Sequence, residues 1–204
     1  MTELYSKAAA TNRERIAKLE RLTGLPDTLD ARQQALHDRI ASGPRGRVAG
    51  PLALWLHSPE LCERAQALGE HLRFNNVLPK ALSEMTILLV SAHHRCDYEW
   101  HVHAQIAERE GLPADTIAAV KAGRKPDGLP EDADALYDFA TGLLRDNAVS
   151  DAAYRGVAEH FGTAGVVELA ALIGYYQIGA HTLNAVEFRI PGAPSPFGRY
   201  DGTG

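Results

Sequence analysis

The stretch EMTILLVSAHHRCDYEWHVHAQIAEREG, Glu84 to Gly111, determines how the rest of the chain is interpreted. It contains four of the nine histidines and one of the two cysteines. An apolar run covers residues 82–92, and residues 97–110 show the spacing of an amphipathic helix that ends at Gly111. We therefore predict two consecutive helices here, separated by the polar residues 93–96.

Helical periodicity also dominates outside this stretch, and no run alternates with the two-residue period of a half-buried strand. We therefore predict an all-α protein. Capping residues, glycines and prolines place the expected helix limits. Helices are expected at about 11–22, 30–41, 59–74, 79–92, 97–110, 114–123, 130–145, 151–161 and 163–186. Loops are expected at 42–51 and 124–128, and the tail from Pro191 should lack regular structure.

Two of these helices carry expectations about packing. In the helix that starts at Pro59, an apolar face is predicted to point to the core; it consists of Leu61, Ala65, Leu68 and Leu72. The last helix is apolar on nearly all sides, which is typical of a central helix or of a subunit interface. Tyr175 and Tyr176 on this helix are interpreted as core or interface residues.

Composition limits the classes of function. The chain has 204 residues, of which 45% are hydrophobic and 23% charged, as in an ordinary globular protein. Its net charge of -5 argues against a general nucleic-acid binder. Arg45 and Arg47 form a basic pair in a loop rich in glycine and proline, which we interpret as a solvated turn.

The sequence also carries expectations about location. The first 20 residues are charged throughout, without the apolar segment of a secretory signal, and no apolar stretch is expected to span a membrane. We therefore predict a cytoplasmic protein without a membrane partner. In that compartment Cys62 and Cys96 would remain thiols.

A candidate site follows from helical spacing in the second half of the stretch. Positions i, i+3, i+4 and i+7 share one helix face, so Cys96, Glu99, Trp100 and His103 are expected to face the same way, and His101 nearly the opposite way. If the two helices pack together, Glu84 can reach the same pocket. Two carboxylates, a thiol and an imidazole in a partly apolar pocket are suited to proton transfer.

Cys96 could also act as a nucleophile or redox group. It lies beside Arg95 and at a helix N-terminus, where positive charge is expected to favour the thiolate. The residue three positions later is Glu99 rather than a second cysteine, so no local CxxC disulfide can form.

The pattern of Glu84, eleven residues, Cys96, two residues, Glu99, three residues and His103 resembles the carboxymuconolactone decarboxylase family. This family includes the alkylhydroperoxidase D-like proteins, in which a glutamate precedes CxxC and a histidine. The likeness extends from HSPEL at 57–61 through EMTILLV at 84–90 to AEREGLPADTIAAV at 107–120, and more weakly to ELAALIGYYQIGAHTLNAV at 168–186. The YEW sequence before the histidine is similar to the decarboxylase-like branch.

The resemblance implies a helical bundle that assembles as a homo-oligomer, a trimer or hexamer and otherwise a dimer. It divides a single domain of 204 residues into an N-terminal extension at 1–45, a family-like region at 50–190 and a tail at 191–204. It implies cofactor-free acid/base chemistry, decarboxylation or a related proton transfer, on a small carboxylated or lactone substrate. Two alternatives remain open: a thiol-dependent hydroperoxide reductase that uses Cys96, and a non-enzymatic oligomeric ligand-binding protein.

We assign roles to seven residues on this basis. The predicted catalytic residues are Glu84, Cys96, Glu99 and His103. Arg95, Trp100 and His181 are predicted to bind substrate, with Arg95 or a protonated His103 also stabilising enolate charge. Although the histidines are dense, their spacing fits no common zinc motif, so we predict no metal site.

Overall fold

The structure, a computed structural model, describes residues 21–198. It is all-α, as predicted, and no strand occurs within this range. The eight α-helices are α1 (Ala31–Ser42), α2 (Pro51–Trp55), α3 (Pro59–Glu70), α4 (Lys80–His93), α5 (Asp97–Arg109), α6 (Ala114–Lys121), α7 (Glu131–Asp146) and α8 (Asp151–Ala185). A π-helical turn, His71–Asn75, continues α3. The predicted helix at 11–22 lies outside the described residues except for its last two, which are not helical.

Local signals explain where several helices begin. Asp30 and Gln33 form a reciprocal capping box at α1: Gln33 N donates to Asp30 Oδ1 at 2.8 Å, and Asp30 N donates to Gln33 Oε1 at 2.9 Å. Pro59 lies in the first turn of α3, and the Ser150 side chain accepts from Ala153 N at the start of α8. The predicted limits of these helices are confirmed to within a residue or two.

Helix α4 lies at the centre of the fold. It packs against α5, α6, α7 and α8, and every residue from Leu82 to Ser91 is buried. Helix α5 folds back on α4 after a tight turn in which Arg95 has a φ of 48°. This turn is what brings side chains of α4 next to side chains of α5.

Helix α8 is interrupted at Gly162, which has φ 69° and ψ -175°. Glycine tolerates this conformation because it has no Cβ. The two predicted helices, 151–161 and 163–186, therefore meet at this residue. The first half packs on α7, where Gly156 approaches Ala135, and the second half reaches α2, where Trp55 Nε1 donates to Thr182 Oγ1 at 3.0 Å.

Three expectations were wrong or only partly confirmed. By length and composition, helix α8 is apolar enough to cross a membrane, whereas no such stretch was expected from the sequence. Its Leu169, Leu172 and Ile173 side chains are buried in the core. On α3 the expected apolar face is only partly confirmed: Leu72 is buried and Ala65 packs against the core, but Leu61 and Leu68 are about half exposed. The buried residues within α3 are Cys62, Gln66 and Gly69. Pro51, predicted to lie in a loop, begins α2.

Residues 191–198 form turns that lie over the start of α5. Asp97 accepts hydrogen bonds from Ser195 Oγ and from Phe197 N, and the Arg95 guanidinium donates to the Phe197 carbonyl. The Phe197 ring packs edge-on against Trp100, with ring centres 5.4 Å apart. The tail is therefore attached to the helix that carries Glu99 and His103.

Candidate active site

A histidine held between two carboxylates lies where α4 and α5 meet. His103 Nδ1 donates to Glu84 Oε2 at 2.6 Å, and His103 Nε2 lies 3.4 Å from Glu99 Oε2. Glu99 and His103 are one helical turn apart on α5, and Glu84 comes from α4. All three side chains are almost completely buried. Buried charges are stable only when they are paired, so the three groups depend on one another.

The two carboxylates change the acidity of the imidazole. Burial alone lowers the pKa of His103, but the charges of Glu84 and Glu99 and their hydrogen bonds outweigh burial. The pKa of His103 is therefore raised above its ordinary value of 6.5. At a given pH a larger fraction of this imidazole is therefore protonated than of a free histidine side chain.

Helix α8 closes the array from the other side. The Tyr176 ring packs edge-on against the His103 ring, with centres 5.1 Å apart. Glu99 Oε1 lies over Gly179, where an added Cβ would be 3.3 Å away. The imidazole and the carboxylate are thus fixed in orientation by packing as well as by hydrogen bonds.

The array opens on a cavity of about 400 Å³. Glu99 and His103 line it directly, and Glu84 lies behind His103. Cavities of this size accept small-molecule ligands. The remaining walls come from the loop before α2, α2 itself, the π-helical turn, α5 and α8. They include four arginines, three tyrosines and His101: Arg45, Arg47, Arg73, Arg109, Tyr98, Tyr175, Tyr176 and His101.

None of the four cavity arginines forms an ion pair with a carboxylate of the described part of the chain. By contrast, Arg32, Arg39 and Arg64 on the surface all pair with glutamates. The cavity therefore combines a buried acid/base array with uncompensated positive charge. Such charge favours an anionic ligand.

Comparison with known proteins shows which family and which solved folds the chain resembles. The family model for carboxymuconolactone decarboxylases matches residues 59–150. This segment is similar to the carboxymuconolactone decarboxylase family. Glu84, Glu99 and His103 all lie inside the matched segment. A search of curated proteins found no significant match.

Solved structures show a similar fold over most of the chain. The debrominase Bmp8, in a cysteine-to-alanine variant bound to 2,3,4-tribromopyrrole, is similar with a TM-score of 0.66 and 16% identity over 88% of this chain and 95% of its own. An alkylhydroperoxidase AhpD core protein from Ralstonia eutropha, described as an uncharacterized peroxidase-related protein, is similar with a TM-score of 0.63 and 22% identity. The match covers 82% of this chain and 87% of that protein. A protein of unknown function from Agrobacterium tumefaciens, suggested to be the antioxidant defence protein AhpD, is similar with a TM-score of 0.60 and 16% identity. The match covers 71% of this chain and 100% of that protein. At these identities the likeness concerns the fold alone.

Cys96, which also lies in the matched segment, does not line the cavity. It is 1% exposed and lies in a small apolar cluster with Leu54, Ala180 and Leu183. Burial, followed by the charge of Glu99, raises the pKa of the Cys96 thiol to about 12. The prediction of a favoured thiolate was wrong, because burial outweighs the helix terminus and Arg95 lies outside the cluster.

The three residues predicted to bind substrate also lie away from the cavity wall. Arg95 donates to the tail carbonyl of Phe197, and Trp100 packs against the Phe197 ring. His181 packs edge-on against His94, with ring centres 4.6 Å apart. None of the three lines the 400 Å³ cavity, so the structure gives them positions different from those that spacing indicated.

The other histidines of the focal stretch are divided between cavity and surface. His101 lines the cavity, although the helical wheel placed it opposite His103. His93 and His94 lie at the end of α4, and burial followed by the charge of His181 lowers the pKa of His94 to about 4. Among residues 21–198, no group of three or more histidines, cysteines or carboxylates is arranged to hold a metal ion.

Sequence reasoning missed the cavity arginines, because Arg45 and Arg47 were interpreted as a solvated turn. Tyr175 and Tyr176 were interpreted as core residues, and both are buried in the core, but they also line the cavity. The sequence did contain one signal: Arg45 and Arg47 have no acidic neighbour in the stretch from residue 39 to 59. Unpaired arginines without nearby acids are candidates for ligand contact.

Proposed function

We propose that this protein is an enzyme that transfers protons on a small carboxylated or lactone substrate through Glu99 and His103. The observation that carries the proposal is the buried Glu84–His103–Glu99 array, which opens on a cavity with uncompensated positive charge. A group that is both buried and strongly coupled to neighbouring charges is typical of acid/base catalysis. The side chains themselves can carry the proton, so the proposal invokes no metal or organic cofactor.

Each side chain has a distinct task in this proposal. Glu84 accepts from His103 Nδ1 and thereby fixes the ring and stabilises its protonated form. His103 Nε2 and Glu99 face the cavity and exchange protons with the substrate. Glu84 therefore acts as a positioning residue, whereas Glu99 and His103 are the groups that would contact substrate.

Decarboxylation illustrates how the reaction would balance. The bond between the carboxylate and its carbon breaks, CO₂ leaves, and the electron pair moves into the neighbouring carbonyl as an enolate. Protonated His103 then delivers a proton to the carbon and regains one from solvent through Glu99. The cavity arginines would stabilise the negative charge of the enolate.

The test is turnover in D₂O with a panel of small carboxylated γ-lactones. NMR would follow C–H exchange and loss of the carboxyl group. We expect activity on at least one member, and a loss of about 10²–10⁴-fold in His103→Ala, because proton transfer would be removed. His160→Ala, an exposed histidine on α8, is the matched control and should keep full activity. Wild-type activity in a folded His103→Ala protein would overturn the proposal.

Thiol-dependent hydroperoxide reduction is the alternative that the names of two structural relatives suggest. The two thiols do not favour it. Both are buried, and burial raises the pKa of Cys62 to about 11 and that of Cys96 to about 12. The same D₂O experiment distinguishes a non-enzymatic binding protein, because such a protein would release every ligand without exchange of C–H hydrogen for deuterium.

Assembly and location stay predictions. We propose a homo-oligomer, supported by the exposed apolar side chains of Val167 and Ile178 on one side of α8. A cytoplasmic location follows only from the sequence expectations above.

A further inference from the structure

Arg45 reaches the cavity from the loop between α1 and α2 and is held there by side chains that do not neutralise it. Its Nε donates to Gln66 Oε1 at 3.3 Å, and its guanidinium lies over the Phe74 ring, 5.7 Å from the ring centre. These contacts orient the guanidinium, while its full positive charge remains.

One nitrogen of this guanidinium has no well-placed acceptor. Arg45 Nη2 is buried and makes no hydrogen bond of full geometry within the part of the chain that the structure describes. The nearby Tyr175 hydroxyl interacts with the guanidinium, and this interaction opposes the effect of burial on the pKa of Tyr175. Leaving a buried donor without a partner destabilises a protein, and the penalty is larger for a charged group. A buried donor of this kind on a cavity wall is explained if a ligand supplies the acceptor.

Arg45 Nη2 lies close to Gly69, where a residue with a side chain would collide with it. An added Cβ at Gly69 would lie 2.0 Å from the Tyr175 hydroxyl oxygen and 2.8 Å from Arg45 Nη2. Gly69 therefore permits the Tyr175 hydroxyl and the Arg45 guanidinium to lie side by side. Burial raises the pKa of Tyr175 to about 12, so its hydroxyl stays neutral and can donate a hydrogen bond.

Further positive charge lies on the same cavity. Arg47, Arg73 and Arg109 line it without a carboxylate partner in the described ranges, and the Arg73 guanidinium lies 5.1 Å from the centre of the Phe74 ring. The adjacent Tyr175 and Tyr176 rings, 5.5 Å apart, connect the Arg45 side of the cavity with His103. The cavity thus has an acid/base wall and an arginine wall.

We propose that Arg45, with Tyr175, forms an oxyanion subsite that binds an acidic group of the substrate, a carboxylate or a phosphate, while the reacting carbon faces Glu99 and His103. Arg45 is then a specificity-determining residue: it selects anionic substrates and sets their orientation. This assignment rests on the proposed function for the identity of the reacting wall, but anion binding can be measured without turnover.

The experiment is isothermal titration calorimetry of the full chain with succinate, with inorganic phosphate and with uncharged succinamide. We expect wild-type protein to bind one of the two anions, and the preferred anion identifies the acidic group. Arg45→Gln should weaken that binding about tenfold or more, since a charge-assisted hydrogen bond is lost. Arg124→Gln, an exposed arginine outside the cavity, is the matched control and should bind as wild type.

A second variant covers the case in which Arg45→Gln does not fold. Gly69→Ala keeps every charge but forces Tyr175 and Arg45 apart, and it should weaken the same anion while circular dichroism remains helical. Unchanged anion affinity in folded Arg45→Gln, equal binding of succinamide, or no anion binding by wild type would each overturn the subsite. Anion binding that depends on Arg45 but is accompanied by no proton exchange would contradict the proposed function and leave the subsite standing.

Discussion

At the scale of single residues, the contact between Glu84 and His103 decides the protonation of the site. The carboxylate accepts from Nδ1 at 2.6 Å in an environment almost without solvent. Electrostatic interactions are strongest where water is excluded. This single contact therefore links the stability of the fold with the chemistry of the cavity.

Glu84→Gln should change how stability depends on pH. In the wild type the folded-state pKa of His103 is raised, so its contribution to stability is fully present below about pH 6.5 and is lost as pH rises through the raised pKa. In the variant, the amide at position 84 keeps a hydrogen bond to His103 but carries no charge. The pH-dependent loss of stability should therefore begin at a lower pH than in the wild type, and it should be smaller. Near pH 6 we expect a decrease of about 1–3 kcal/mol in the free energy of unfolding.

Urea titrations between about pH 5.5 and 9 would measure this effect. Asp38→Asn is the matched control, because Asp38 pairs with His37 at 3.0 Å and the Asp38 side chain is 64% exposed. Solvent screening should make its effect small at every pH. Identical pH profiles for wild type and Glu84→Gln would contradict the raised pKa of His103.

At the scale of helices, α8 supports the site through the small residue that faces Glu99. Gly179→Ala places a Cβ 3.3 Å from Glu99 Oε1, whereas Gly174→Ala, on the same helix, meets nothing within 4 Å. Both changes should gain roughly 0.5–1 kcal/mol of helix propensity. Only Gly179→Ala should also displace Glu99, so its gain should be reduced or reversed.

NMR titration of the histidine rings tests this difference directly. Gly179→Ala should shift the apparent pKa of His103, because Glu99 would change its distance from Nε2, and Gly174→Ala should not. Equal titration curves in the two variants would show that the contact between α8 and Glu99 has no influence on the imidazole.

The helices themselves could largely be predicted from the sequence, whereas their buried faces could not always be. Caps and glycines are local signals, so the limits of α4, α5 and α7 follow from neighbouring residues. The inward face of α3 depends on distant partners: Gln66 is buried because it binds Arg45 and Glu70. The five-residue α2 is too short to show a helical period.

The candidate site was predictable only in part, for the same reason. Glu99 and His103 share a face of one helix, and spacing alone placed them together. Their pairing with Glu84 required only that two consecutive helices pack. The arginine wall is assembled from the loop before α2, the π-helical turn and α5, and no local pattern predicts that Arg45, Arg73 and Arg109 meet.

At the scale of the whole molecule, the reactivity of the two buried thiols measures how readily the fold opens to solvent. Cys62 and Cys96 belong to different apolar clusters, and each is at most 1% exposed. At pH 8, a pKa of about 12 leaves about one Cys96 in ten thousand as thiolate. The thiols of the native protein should therefore react slowly with peroxide or with a disulfide reagent. Urea should increase the reaction rates of both thiols together, because unfolding exposes both.

Cys62→Ser and Cys96→Ser allow each thiol to be followed alone. Slow, similar rates in native buffer and a common increase near the unfolding midpoint are the expected result. Rapid formation of sulfenic acid at Cys96, well ahead of Cys62, would instead favour the hydroperoxide reductase.

The break at Gly162 has a consequence for how this fold can diverge. The first half of α8 packs on α7, while the second half carries Tyr175, Tyr176 and Gly179 against the site. Because the helix axis is interrupted between them, a change in length or tilt of the first half is absorbed at the glycine. A lengthening or tilt of the first half therefore need not move Tyr175, Tyr176 or Gly179, although Ala153 and Val157 still hold that half in the core.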